Sequence, residues 1–412
     1  MTPIINKVRW SASNLPYGIS FDEATGTFSG TPEEAGEYVV PVSVETNYGS
    51  YKKDIEFVVT SRNAYSLYAI GKKAKQWSED AEPDTDGFRK LNISECIRLN
   101  SMYGGFCAQT KSKDWYVVCE GAKFFCGYYP TGTLSTISIS SAYPDFNPTN
   151  KPTKFPIDGV NDMCQGATIY GGTKVQRYVA YRVFDTVFVR ERTSNGSNIN
   201  FSNFRYSNVT KLTDDFCTGI LGFSEDSLIV LKRYSIVKPE GMNIKKAVPV
   251  IAQTTSSPSY IYILTNAKKL YRKNTTDDPE QIYTEYGEIE NFWALNHQTA
   301  LVNSLGLNSI IFIQTTDGRL FALGENRNHE AGLMESKFYD ECSLVGMYKA
   351  KKITHAGNNT FILSEDGKLY HTGAGVSGIT VQHDTFTPLF EGRVFSDVIY
   401  TDEGTLIVGI EE

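Results

Sequence analysis

The sequence predicts an all-β protein in two parts, a small β-sandwich over residues 1 to 60 followed by a β-propeller over residues 61 to 412. Three observations predict it. The chain carries 25 Tyr and 23 Phe against 6 Met, a bias toward sheet. Its first 60 residues alternate apolar and polar positions between turn residues. Beyond them, a turn-and-strand signal returns every 40 to 50 residues or so with almost no helical periodicity, the mark of propeller blades. A chain of 412 residues also exceeds what one core usually supports, so separate domains are expected.

In the first part, VRWSAS, GTFSG, EYVVPVSVE and YKKDIEFVVT read as strands. Gly18, Gly26, Gly30 and Gly36 supply the turns, and Pro32 ends a strand. The stretch LPYGISFDEATGTFSGTPEEAGEY, residues 15 to 38, resembles the immunoglobulin-like, cadherin-like repeats of bacterial surface and phage proteins, and the similarity extends loosely to Val59. The resemblance implies an immunoglobulin-like sandwich serving as a spacer or binding module, with no catalytic residue.

In the second part, TTDGRLFALGEN (315–326), SEDGKLYHTGAG (364–375) and TDEGTLIVGIEE (401–412) share a polar-acidic-Gly turn followed by a short apolar strand. Weaker copies are SLYAIGKKAKQW, SKDWYVVCEG, DTVFVRER, SEDSLIVLKR and TNAKKLYRKN. Taking Leu67, Tyr116, Val187, Leu228, Leu270, Leu320, Leu369 and Leu406 as the common apolar position, the steps are 49, 71, 41, 42, 50, 49 and 37. Seven steps favour seven blades; eight signals leave eight open. Each Asp-Gly supplies the positive φ of a tight hairpin. A blade alone exposes an apolar face, so the ring must close, and the strand-like DEGTLIVGIEE suggests closure against Ser66 to Gly71. The unit AKKITHAGNNTFILSEDGKLYHTGAG, with residues 309 to 327, resembles the repeat of the regulator of chromosome condensation family, and GENRNHEAGL keeps Gly324, Asn326 and Gly332 at the places of its glycine loop. The resemblance implies the propeller fold. The family's chromatin-associated nucleotide-exchange activity is not expected, because the chain is acidic and lacks a basic tail.

The net charge of −7 argues against a phosphate-binding face, so nucleic acid is not an expected partner. No run of 18 apolar residues occurs, so membrane insertion is not expected, and MTPIINKVRW lacks the apolar stretch of a signal peptide. Cys96, Cys107, Cys119, Cys126, Cys164, Cys217 and Cys342 match no zinc spacing and are expected to be free thiols, most of them buried. His297, His329, His355, His371 and His383 form no His-Glu-x-x-His pair, and structural roles are expected for them. Gly-x-Ser-x-Gly and phosphate-loop motifs are absent, so no catalytic residue, cofactor or metal is expected. EPDTDGFRKLNI (82–93) places Glu82, Asp84, Asp86 and Gly87 like the start of a calcium loop, but Ile93 stands where the bidentate Glu belongs, and it reads as a polar interblade turn.

The 71-residue step contains GYYPTGTLSTISISSAYPDFNPTNKPTKFP (127–156). Aromatic rings among amide and hydroxyl groups on a scaffold loop suit sugar faces, which makes Tyr128, Tyr129, Tyr143 and Phe146 the candidate ligand-binding residues. The competing reading is a blade insertion that covers its own apolar surface. SNGSNINFSNFRYSN (194–208) reads as a second loop of this kind, a solvated turn. The module combination gives the expected function: a non-enzymatic bacteriophage virion component (fibre, decoration or host-adhesion protein) in multiple copies. Other virion proteins and a host-surface glycan or protein receptor are its expected partners. The alternatives are a bacterial cell-surface or secreted adhesin and a glycan-active propeller enzyme, which would need two carboxylates facing one pocket.

Overall fold

A computed structural model gives the fold. It describes residues 8–16, 19–30, 32, 36–59, 64–102, 104–119, 148, 151–170, 174–195, 198–209, 211–212, 221–224, 227–230, 234–239, 242–250, 260–274, 277–296 and 309–411. The chain divides into two compact units, Met1–Asn63 and Ala64–Glu412.

In the first unit, Gly36–Thr46 is the central strand of an antiparallel sheet between Val8–Ala12 and Gly49–Val59, and Ile19–Asp22 pairs with Thr27–Gly30. The alternation pattern does not single out Ile19–Asp22. The Phe-Asp-x-x-Thr-Gly run between the paired strands has a direct physical basis. Asp22 Oδ1 accepts from the N–H groups of Ala24 (2.8 Å) and Thr25 (3.2 Å), and Gly26 turns back at φ 71°. A side chain at Gly26 would begin 2.8 Å from the Trp10 ring. Phe28 packs between Phe21 and Phe57, with ring centroids 4.8 and 5.0 Å away. Pro41 is tolerated in the central strand because its carbonyl, and therefore its missing N–H, points toward Ser13, beyond the end of Val8–Ala12.

Among the described residues, the second unit contains seven four-stranded antiparallel sheets. The first blade is Cys96–Met102, Gly105–Thr110, Trp115–Val118 and Thr153–Lys154. The second is Val160–Tyr170, Lys174–Val183, Thr186–Asn195 and Asn198–Tyr206, and the third Lys211–Leu212, Leu221–Phe223, Ser227–Val230 and Tyr234–Val237. The fourth is Ile244–Val250, Tyr260–Thr265, Leu270–Lys273 and Glu280–Ile282. The fifth is Ile289–Asn296, Ser309–Thr315, Arg319–Gly324 and Tyr339–Met347, and the sixth Ala350–Ala356, Asn359–Ser364, Leu369–Gly373 and His383–Leu389. The seventh is composite: Asp397–Thr401 and Thr405–Ile410 come from the end of the sequence, Ser66–Gly71 and Arg89–Lys90 from the start of the unit. First strands lie against neighbouring blades all the way round, that of the seventh touching those of both the sixth and the first, so the ring is closed.

The closing register pairs Thr405 with Gly71 and Ile410 with Ser66. It explains why eight sequence signals make seven blades. Seven of the marked positions sit in third strands, from Tyr116 in the first blade to Leu67 in the seventh, whereas Leu406 lies in the second strand of that same seventh blade. Apolar clusters fill the seams; Leu67, Trp77, Phe106, Ile399 and Ile407 are all buried where the seventh blade meets the first.

The recurring turn works through a hydroxyl. Thr315, Ser364 and Thr401 stand at its first position, each accepting from or donating to the backbone four residues on. The fourth position has positive φ, at Gly318 (88°), Gly367 (80°) and Gly404 (74°). In the degenerate copies Thr110 and Thr265 keep the hydroxyl, while Lys113 (67°) and Lys268 (60°) take the glycine's place. The hydroxyl and the backbone turn survive where the glycine does not.

Two sequence readings are corrected. SNGSNINFSNFRYSN is not a loop: Asn198–Tyr206 is a strand paired along its length with Thr186–Asn195. Asn and Ser favour turns by composition, but here they pair in register with the neighbouring strand, so composition misled. EPDTDGFRKLNI is not a turn between blades: its turn, with Pro83 bridged to Arg89, leads into the fourth strand of the seventh blade, Arg89–Lys90, and only its last three residues run on toward the first blade.

Candidate binding surfaces

The first strands carry a repeated irregularity that positions charge. In five blades the pairing slips after the opening residue, and the slips precede Arg98, Asp162, Lys246, Asn291 and Lys352. Such bulges re-aim a side chain, and four of the five re-aimed groups reach an adjoining blade. Arg98 meets Asp162 at 3.0 Å, Asp162 also holds Arg182 Nε at 2.7 Å, and the N–H of Leu212 in the third blade donates to the same carboxylate at 3.3 Å. Lys246 Nζ donates to Phe292 O at 2.8 Å. Lys352 Nζ donates to Asp397 Oδ1 and to Leu99 O, both at 2.6 Å, while Tyr65 OH donates to Asp397 Oδ2 at 2.7 Å. Burial pulls the Asp162 carboxyl upward, but Arg98 and Arg182 outweigh it and hold it below its ordinary value.

A second polar network ties the fifth blade to the sixth. Asn326, fully buried, donates to the carbonyls of Leu333 and Glu335, each at 2.7 Å, and accepts from the N–H of Ala331 at 2.9 Å. This is the staple of the GENRNHEAGL loop. Thr360 and Thr372 of the sixth blade donate back to Glu330 O and His329 O. His371 is also fully buried. Asn359 Oδ1 already accepts from the N–H of Gly375, so His371 Nε2 carries the proton it donates to the same oxygen at 2.9 Å. Burial, with His383 adding to it, pushes His371 down to about 3. It is therefore neutral, and its Nδ1 accepts from His383 Nδ1–H at 3.1 Å. These histidines connect strands. At Gly332, φ is 73° and an added Cβ would lie 2.5 Å from the Phe386 ring. We expect Gly332→Ala to cost about 2 kcal/mol, from the left-handed backbone and the displaced ring, measured as a lower urea midpoint with unchanged slope.

A cavity of about 640 Å³ opens near the closing seam, lined in part by Ile70, Lys72, Lys75, Asp86, Arg89 and Val376. Three of its charges are matched within the protein, Lys72 with Glu403, Lys75 with Asp80, and Asp86 with Arg393, and Arg89 donates to the carbonyl of Ala81. Arg393 also holds Asp84 at 2.7 Å. The carboxylates of the calcium-like run thus hold an arginine. Among the described residues, no group of three or more His, Cys, Asp or Glu is placed to hold a metal ion, and no helix is long and apolar enough to cross a membrane. Cys96 and Cys107 are buried free thiols, Cys119 and Cys164 are buried, and Cys342 is half-buried; burial pushes Cys96, Cys107 and Cys342 up to about 12. Cys126 and Cys217 lie outside the described residues.

Tyr128, Tyr129, Tyr143 and Phe146 also lie outside the described residues, as does His297. Sequence reasoning missed Asp162, Arg182, Asp397 and Arg393. Each acts with residues remote in the chain, and none stands at a repeated position of the turn motif.

Residues 3–62 match the family described as Putative Ig domain. No curated relative matches the sequence. Among solved structures, a chain in the crystal structure of Kap60 bound to yeast RCC1 (Prp20) is similar at 12% identity and a TM-score of 0.54, covering 85% of this chain and 90% of that one. Prp20p from Saccharomyces cerevisiae, in a structure described with its binding properties to Gsp1p and histones, is similar at 11% identity and a TM-score of 0.50, covering 85% and 92%. Human WBSCR16 is similar at 10% identity and a TM-score of 0.51, covering 84% and 100%. At these identities the likeness is one of fold. The chain carries an N-terminal Ig-like domain followed by an RCC1-like β-propeller.

Proposed function

We propose that the protein binds rather than catalyses and serves as a bacteriophage virion component, a fibre, decoration or host-adhesion protein in which the propeller is the interaction platform. The observation that carries this is the pairing of an Ig-like domain with an RCC1-like propeller. Fold alone does not set function, so the site chemistry adds its weight: among the described residues of the seam cavity, the carboxylate Asp86 is spent on Arg393, and the buried thiols with raised pKa are poor nucleophiles. The acidic chain and its Tyr-rich insertion favour a host-surface glycan or protein receptor as ligand. Aromatic contacts of about 1 kcal/mol each make single sites weak, so several copies on one particle would supply avidity.

The test is a glycan array and host-cell adsorption assay on an oligomeric form of the protein. Replacing Tyr128, Tyr129 and Tyr143 together by Ala is expected to weaken binding about 100-fold. Unchanged binding would move the ligand surface elsewhere, and turnover of a glycan would overturn the non-enzymatic reading. Mass spectrometry of purified particles against cell envelopes separates a virion protein from a cell-surface adhesin.

A further inference from the structure

Gly49–Val59 is an edge. It pairs with Gly36–Thr46 through eleven consecutive residue pairs without a bulge, and among the described residues no strand pairs with its other side. At eleven residues it is about twice the mean strand length. Edges of this kind are normally shortened, bulged, broken by Pro or guarded by charged side chains, because their free N–H and C=O groups template further pairing; here only the charges are present. This one keeps its full length, and its exposed charges divide by sign: Lys52 and Lys53 precede Asp54 and Glu56.

That order is self-complementary. We infer that Gly49–Val59 pairs antiparallel with the same strand of a second copy, joining two three-stranded sheets into one of six. A dyad perpendicular to the sheet keeps both core-facing surfaces on one side. Because side chains alternate, that symmetry places odd residues opposite odd and even opposite even. Only a dyad through Asp54, the midpoint of the strand, pairs all eleven residues. It sets Lys52 against Glu56 of the second copy, twice by symmetry, and Tyr51 against Phe57 of the second copy. The two Asp54 side chains meet at the dyad, a like pair that offsets part of the gain, each with Lys52 of the second copy on one diagonal and Glu56 on the other. Tyr51 is 63% exposed in the single chain and gains a cross-strand neighbour. This inference does not depend on what the propeller binds.

Sedimentation velocity on the full chain tests it. The wild type is expected to show a concentration-dependent dimer. Lys52→Glu and Glu56→Lys each turn two attractive cross-strand pairs into like pairs and should each weaken association by at least about 10-fold. An equimolar mixture of these variants restores the opposite pairs and should recover the dimer. Asp54→Cys should form an intermolecular disulfide on mild oxidation beyond the wild-type background, whereas Lys53→Cys, which faces Ile55 of the second copy, should not. A monomeric wild type overturns the inference. A dimer indifferent to both charge reversals, or without cross-linking through position 54, overturns it equally.

Discussion

Deleting Thr405 to Glu412 is expected to abolish the folded propeller. The segment supplies the second strand of the seventh blade, and its removal leaves Asp397–Thr401 and Ser66–Gly71 without their shared partner. Leu406, Ile407 and Val408 are fully buried, and each contributes about 1.5–3 kcal/mol through burial alone. With the lost ladder added, the deficit is comparable to the 5–15 kcal/mol that holds a typical domain together. Insoluble or unfolded protein is the expected result. Ile407→Ala keeps the strand and is expected to cost about 2–5 kcal/mol, small enough for a denaturant titration. A truncated chain melting at the wild-type temperature would contradict ring closure through this strand.

The second large effect is expected at Asp162. Asp162→Asn leaves Arg98 and Arg182 facing each other, with the Arg182 side chain 1% exposed, and an uncompensated buried charge costs about 3–5 kcal/mol. The half-exposed pair Lys154–Asp114 in the first blade is the control; losing it should cost less than about 1 kcal/mol. The same group sets a pH dependence. A carboxyl held below its ordinary 3.8 contributes stability that is present above that value and lost as pH falls through its folded pKa. His371 works in the same direction over a higher window. Between 6.5 and about 3 the unfolded chain takes up a proton there that the folded protein refuses, so stability falls with pH across that range. Urea midpoints at pH 7, 5, 4 and 3 should therefore decline. His371→Asn should flatten the decline between pH 6 and 4, and Asp162→Asn the part below pH 4.

The fold was legible in the sequence because its signals are local. A hydroxyl and a residue with positive φ, followed at once by an apolar strand, mark the turn even at Thr110–Lys113 and Thr265–Lys268, where both the acid and the glycine are missing. The Phe-Asp-x-x-Thr-Gly run was readable for the same reason, since Asp22 and Gly26 close their own turn. The polar stitching was not readable. Arg98 and Asp162 stand 64 residues apart, and Lys352 and Leu99 253 apart, so nothing short of the closed ring brings them together. Composition failed where Asn and Ser stand in a strand: Asn198, Asn200, Ser202 and Asn203 suggest a loop and pair as a ladder. The candidate aromatics Tyr128, Tyr129, Tyr143 and Phe146 rest on composition alone, which names ring chemistry but not which rings face a ligand.

The central claim is a propeller locked by a strand contributed from each end of the second unit. Hydrogen exchange on the full chain tests it most directly. The amides of Ser66–Gly71 and Thr405–Ile410 should be as protected as those of the sixth blade and should lose protection together with it as urea rises, because ring opening and global unfolding are then one event. Exchange of Thr405–Ile410 at the rate of an unstructured peptide, with the other blades still protected, would contradict it.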